Sequence, residues 1–287
     1  MDFCNIVAVV TGAASGLGRS LALQLCAAGA HLALCDVDMP GLEETQRLAQ
    51  DAGTTVSLHH VDVSDLEQMA SFAEQVMAQH GQVDLLINNA GVSLTPTCFA
   101  DIPDDQFKRV FDINAWGVYN GIRAFLPHLR ARPEAGIVNV SSLAGLIGLY
   151  GYAPYAMSKA AIRGLSEALQ SELAGSGSHV LVVHPGGIKT DIIKNAPNLD
   201  DEQRETAHAQ FTQFAFLKPD RAARRILRAL QRKQPRLILG ADAKLVYALR
   251  HLFPRRYPTI LKAIFSQALF GDDFRSGSID SEAANDK

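Results

Sequence analysis

The feature that most constrains this chain is an alternation of short apolar, β-branched runs with longer stretches of helical period. The runs are IVAVV (6–10), HLALC (31–35), VSLHHVDV (56–63), VDLLIN (83–88), GIVNVSS (136–142), HVLVVHP (179–185) and RLILG (236–240). Between them, helix-period stretches cover 17–28, 41–52, 65–79, 104–130, 156–174 and 220–233. A connection of that length crosses over between parallel strands, whereas antiparallel neighbours need only a tight turn. Near-continuous apolar strands are covered on both faces. The pattern predicts one α/β domain over 1–240: a seven-stranded, doubly wound parallel sheet with helices on both faces. The chain's 287 residues, 47% of them hydrophobic, suffice to bury such a core.

The four cysteines (Cys4, Cys26, Cys35, Cys98) show neither metal-ligand spacing nor a disulfide framework. Three of them, Cys4, Cys26 and Cys35, fall in or beside apolar runs and read as reduced core residues of a reducing compartment. The opening apolar run stops at Gly12, too soon for a signal peptide or a membrane span, so a cytoplasmic protein is expected. Net charge is −3, but it is unevenly spread. From Lys218 to Lys262 there are thirteen Lys/Arg against Asp220 and Asp242, a local balance of +11 that leaves −14 for the remainder.

The first strand runs into T11-G-A-A-S-G-L-G18 and then a helix pattern. Gly12, Gly16 and Gly18 allow a tight turn and close approach of backbone to a ligand, with Ser15 and Leu17 between them. The helix N-terminus beyond offers free N–H groups to a pyrophosphate. The spacing is not the common GxGxxG, so position carries the inference: the turn joins the first strand to the first helix of a mononucleotide-binding half. Asp36 ends the second strand, 24 residues past Gly12. A carboxylate there accepts hydrogen bonds from ribose hydroxyls and repels a 2′-phosphate, which favours NAD over NADP; the alternative is that Asp36 or Asp38 ends the strand and caps the next helix. Asp62, with Val63 beside it, stands similarly near the adenine.

In YAPYAMSK (152–159), Tyr155 has a lysine four places on, Lys159, and no other tyrosine does. Chance alone gives about 0.2 such pairs for this composition, so spacing by itself decides little. It does place both side chains on one helix face. An ammonium ~5 Å from a phenol at an effective dielectric of ~20 favours the phenolate by ~3 kcal/mol. That predicts a Tyr155 pKa lowered by roughly two units.

These residues in this order resemble the short-chain dehydrogenase/reductase family, in its core branch, over about residues 5–240. TGAASGLG (11–18) looks like the cofactor loop, and N88-N-A-G91 matches the motif that steadies the central sheet. Asn114 in DINAWG matches the catalytic asparagine, Ser142 stands thirteen residues before Tyr155, and P185-G-G-I-K-T190 matches the stretch that holds the nicotinamide. The resemblance implies a Rossmann fold and roles for the matching residues. Tyr155 exchanges a proton with the substrate oxygen, and Ser142 hydrogen-bonds the same oxygen. Lys159 binds the nicotinamide ribose and lowers the tyrosine's pKa, and Asn114 holds a relay water through its backbone. Asn89, Ala90, Gly91, Pro185, Gly186, Ile188 and Thr190 join the cofactor set. Against these stand blander readings: Ser142 as a turn or cap, Asn114 as a buried packing polar, and Ser141 as a competitor on the opposite strand face.

The stretch from Leu143 through Leu146, Leu149, Tyr150 and Tyr152 is mostly apolar. The segment 191–218, which covers the substrate in the family, carries Ile192, Ile193, Phe211, Phe214, Phe216 and Leu217. With Gly187, these predict a site for a hydrophobic secondary alcohol or ketone. No metal is expected. Beyond Gly240 a helical extension (241–274) departs from the compact family pattern, and 275–287 reads as a disordered tail. The extension with its basic approach reads as a packing arm or as an interfacial segment on anionic membrane; no nucleic-acid motif accompanies it. A homodimer through 104–130 and 156–174 is expected, with a tetramer as the alternative. Competing functions are a non-catalytic NAD(H)-binding sensor or scaffold, and an epimerase or lyase on the same fold, though ~45 residues after Gly240 are few for the latter's substrate domain.

Overall fold

A computed structural model describes residues 1–49, 53–190, 192, 215 and 217–261. The expected Phe214, most of 191–218 and the whole of 262–287 lie outside the described residues. The chain divides into two compact units, 1–245 and 246–287.

The first unit holds a parallel sheet of seven strands: β1 (Val7–Thr11), β2 (His31–Asp36), β3 (Val56–His60), β4 (Leu85–Asn88), β5 (Ala135–Val140), β6 (Ser178–Pro185) and β7 (Arg236–Leu239). Their order is β3-β2-β1-β4-β5-β6-β7, and every pairing is parallel. The order reverses between β1 and β4, the point at whose strand C-termini such sheets bind ligands. Side-chain alternation divides the core into two layers. On one face Ala8 and Val10 of β1 pack with α1 (Gly16–Ala27), α2 (Met39–Ala49) and α7 (Pro219–Gln231). On the other, Val7 and Val9 pack with α3 (Leu66–His80), α5 (Gly117–Arg130) and α6 (Ala153–Glu172).

Three expected elements differ in ways that matter. The third strand stops at His60, because Asp62 Oδ1 accepts the Ser64 N–H (2.9 Å) and hydroxyl (2.7 Å), turning the chain. Asp65 then caps α3 through the N–H groups of Glu67 and Gln68. The helical stretch 104–130 is interrupted: α4 (Asp104–Phe111) and α5 flank a π turn, Asp112–Trp116, closed by Gly117 N–H donating to Asp112 O. The fifth strand ends at Val140, two residues before Ser142. Cys4 is also corrected: it lies exposed in the turn before β1, while Cys26 and Cys35 are buried; all four cysteines are free.

The second unit begins within α8 (Ala241–Leu252), and 257–261 are helical. No helix among the described residues is long and apolar enough to cross a membrane.

Candidate active site

The sheet's C-terminal edge gathers two groups of residues. The first surrounds the turn after β1. Gly12 (φ +66°) and Gly16 (φ +52°) sit in the left-handed region that glycine adopts without strain. A Cβ on Gly12 would lie 2.7 Å from Ala90 Cα, one on Gly16 would press on the Thr190 methyl at 3.1 Å, and one on Gly18 would collide with the Gly12 carbonyl. Asn89 locks the turn by donating Nδ2 to the carbonyls of Thr11 and Gly12, both at 3.0 Å. The Thr11 hydroxyl accepts the N–H groups of Asn89 (3.0 Å) and Ala90 (3.1 Å). Arg19, unremarked in the sequence, reaches Ala14 O, Gly41 O (3.1 Å) and Thr45 Oγ1 (2.9 Å), tying the turn to α2. Ser15 is the N-cap of α1, with no side-chain hydrogen bond of its own to the first turn. Backbone cleared of Cβ atoms at an uncapped helix N-terminus fits a pyrophosphate.

Asp36 ends β2, while the next helix is capped by Asp38, whose Oδ1 accepts the Gly41 N–H at 3.0 Å. Asp36 Oδ2 accepts the Ala14 N–H (3.0 Å) and its Oδ1 that of Val37 (2.8 Å), so it shapes the turn after β1. The Asp62 carboxylate is engaged by Ser64 at the end of the neighbouring strand. Val63 is buried against Gly117.

The second group gathers the polar residues to which the family resemblance gives catalytic roles. Tyr155 and Lys159 stand in the first two turns of α6, whose start is set by Pro154 and the left-handed Gly151. Lys159 Nζ lies 5.5 Å from the Tyr155 ring centroid, donates to Val140 O (3.2 Å) and comes close to Gly91. Ser142 lies beyond β5, where its Oγ accepts the Ala144 N–H at 3.1 Å, the cap expected as its blander role, and it stands near enough to the Tyr155 phenol to favour the ionised form. The two serines are now distinguished: Ser141 is buried and donates its hydroxyl to Lys159 O (2.7 Å), away from the phenol. Asn114 is fully buried in the π turn; its Oδ1 accepts the Val92 N–H (2.8 Å), and its Nδ2 donates to Val92 O (2.9 Å) and Ser158 Oγ (3.1 Å). With that side chain consumed, only its backbone is left for other work.

The electrostatics reverse one expectation. Tyr155 keeps part of its surface, yet desolvation, the larger effect, pushes its phenol above the ordinary value, and the Ser142 hydrogen bond offsets only part of this. The same burial pulls Lys159 down to about 8. The Tyr–Lys spacing sets the geometry, whereas the direction of both shifts follows from the cost of burying the two groups. Tyr152, also largely enclosed, is pushed up to about 12 by desolvation and then by Tyr155.

Around the phenol lie apolar residues: Leu94, Ile102 and Val110 form a small core against which Val92, Phe107, Tyr152 and Tyr155 pack. Leu143 is buried, Leu149 half-buried, and Tyr150 exposed with its hydroxyl 2.8 Å from Cys98 Sγ. Ile192 is half-buried. After β6, Pro185 to Thr190 run back toward Gly16, with Ile188 bridged to Leu217.

Sequence reasoning passed over His184. It is fully buried, and because a carbonyl only accepts, its Nδ1–H donates to Ser142 O at 3.1 Å. Desolvation pulls it down to about 4, so the ring is neutral. The ladder reaches Ser141 N–H, which donates to Val183 O, but Pro185 has no N–H for the next rung. Past the end of the ladder, the Ser142 carbonyl is held by the imidazole and by the Gly145 N–H (3.0 Å). A polar residue in an apolar strand just before a proline was the available signal.

A family model for short chain dehydrogenases matches residues 6–200. A putative oxidoreductase, SadH, of Mycobacterium tuberculosis is 40% identical over 268 residues, 91% of this chain and 96% of its own. Epidermal retinol dehydrogenase 2 of Mus musculus is 34% identical, over 86% of this chain and 78% of its own. A short-chain dehydrogenase/reductase from Burkholderia phymatum, solved with NAD, superposes with a TM-score of 0.81 at 28% identity, covering 88% of this chain and 95% of that one. The chain belongs to the short-chain dehydrogenase/reductase family and has its Rossmann fold. Its class is that of oxidoreductases using a nicotinamide dinucleotide.

Proposed function

We propose that this chain interconverts a hydrophobic secondary alcohol and its ketone, using NAD. The observation that carries the reading is the meeting of Ser142, Tyr155, Lys159 and Asn114 at the sheet edge beside the glycine cradle. When bound, the dinucleotide accepts or supplies the hydride. Tyr155 takes the alcohol proton on oxidation and returns it on reduction. Ser142 hydrogen-bonds the substrate oxygen and the phenol together. Lys159 holds the nicotinamide ribose and sets a positive charge beside the ring, countering the burial that favours the neutral phenol. Asn114 acts through its main chain, holding the water that carries the proton onward.

NAD over NADP rests on the Asp36 charge beside the cradle. The hydrophobic substrate rests on the Leu94–Ile102–Val110 wall with Leu143, Leu149 and Tyr152, and agrees with the name of the murine relative. Gly187, Ile192 and Phe214 belong to the same proposed substrate set. The proposed homodimer uses the helical stretches 104–130 and 156–174, where Trp116 and Met157 are exposed. Contact with anionic membrane uses the C-terminal extension (241–274) together with the upstream Arg221, Arg224, Arg225 and Arg228, all four exposed on α7; equal liposome sedimentation of the full chain and of a folded truncation after Gly240 overturns that contact. The location is the cytoplasm.

The test is nicotinamide absorbance with a panel of secondary alcohols of graded size, with NAD beside NADP. Turnover that rises with apolar bulk and needs NAD is expected. Turnover confined to small, highly polar substrates contradicts the substrate reading, and NADH binding without turnover on any member favours the sensor.

A further inference from the structure

Asp242 lies past the residues that the family model matches, beyond Gly240, in the first turn of α8. Its side chain nevertheless reaches the turn after β6: Oδ2 accepts the Gly187 N–H at 2.8 Å. Two glycines make room for it. A Cβ on Gly186 would collide with either carboxylate oxygen, and one on Gly240 (φ +115°) would collide with Oδ1. The Gly186 N–H is also engaged, donating to Leu239 O at 2.8 Å. Both amides of the Gly-Gly pair are therefore held from the C-terminal side, one by β7 and one by Asp242. The chain beyond is tied in turn: Leu217 N–H donates to Gly187 O (3.2 Å), Lys189 N–H donates to Leu217 O (3.0 Å), and the Thr190 methyl lies over Gly16.

We propose that Asp242 is a positioning residue for the cofactor, fixing the 185–190 turn in the shape that receives the nicotinamide. Two consecutive glycines left free lose more conformational entropy on ordering than any other pair. A charge-assisted hydrogen bond to one of their amides imposes that order before the ligand arrives, and preorganisation of this kind strengthens binding without a new ligand contact. The extension thereby serves the active site from outside the family core. The inference rests on the proposed nicotinamide-dependent function.

Asp242 in the first turn also suits the dipole of α8, so a structural part must be separated from the positioning part. Direct NADH titration by fluorescence, thermal melting and amide hydrogen exchange of the cofactor-free full chain do this for Asp242→Ala, Asp242→Asn and Asp242→Glu. In Asp242→Ala, NADH affinity and the KM for NAD worsen about tenfold or more while kcat moves less than threefold, and exchange at 186–190 quickens. Asp242→Asn, which keeps an acceptor for Gly187, stays within about threefold of wild type. Asp242→Glu, too long for the slot between the glycines, weakens binding about tenfold and decides the matter if the alanine variant does not fold. Equal NADH affinity across the folded variants overturns the inference alone. A wild-type chain that binds no NADH overturns the function on which it rests.

Discussion

The proposed cofactor cradle and the proposed catalytic cluster share one sheet edge and are built by opposite means. Around β1 the shape is made by what is missing, since Gly12, Gly16 and Gly18 stand where any side chain meets backbone or a neighbour. Around β5 and α6 it is made by buried polar groups, with Asn114, Ser158, Lys159 and His184 all essentially enclosed. The first region fails by collision; the second fails by loss of a partner or a charge. Substitutions should therefore separate binding from turnover, and stability should respond with different signs in the two places.

The largest effect is expected in the cradle. Gly18→Ala drives a methyl into the Gly12 carbonyl, and NADH affinity should fall by about 100-fold or more in a fluorescence titration, with a lowered melting temperature. Retained affinity would break the comparison on its first side.

Lys159→Met tests the other side. Turnover should drop by about 10²–10³. Stability should move the other way, because burial pulls Lys159 from 10.5 down to about 8. Between those values the unfolded chain holds the proton and the folded chain does not, so wild-type stability gains as pH rises from about 8 to about 10.5 and carries a constant penalty below. The methionine variant should melt higher at neutral pH and lack that alkaline gain, as melts across pH 6–11 would show.

A smaller effect sharpens the comparison inside the cluster. His184→Leu leaves Ser142 O with the Gly145 N–H (3.0 Å) alone. A fall in kcat of about tenfold is expected with unchanged NADH affinity. The wild-type ring, pulled down from 6.5 to about 4, contributes stability that is lost as pH falls through that window. The leucine variant should lack this loss in acid melts.

Legibility in the sequence follows the same division. The sheet, its crossovers and the glycine turn are local patterns, and strand and helix ends agree with them to within a few residues, save where a side chain turns the chain at Asp62 or Pro185 removes a rung. The Tyr155–Lys159 spacing is local too, and the pair does share a face. What could not be read were contacts made across the chain: Asn114 to Ser158, His184 to Ser142, Asp242 to Gly187. The direction of the Tyr155 shift also depends on burial, which periodicity does not measure.

The smallest effect concerns cofactor choice. Asp36→Ala removes the carboxylate beside the cradle and also a backbone contact to Ala14. The ratio of kcat/KM with NADP to that with NAD should rise about tenfold. An unchanged ratio would place the ribose elsewhere.

The most direct measurement is made on Tyr155→Phe, with turnover and NADH affinity taken from one preparation. The account predicts that turnover falls by about 10³ or more while the NADH dissociation constant stays within about threefold of wild type. Turnover that survives, or affinity and turnover lost together, would contradict the division between a glycine-built cradle and a polar catalytic cluster.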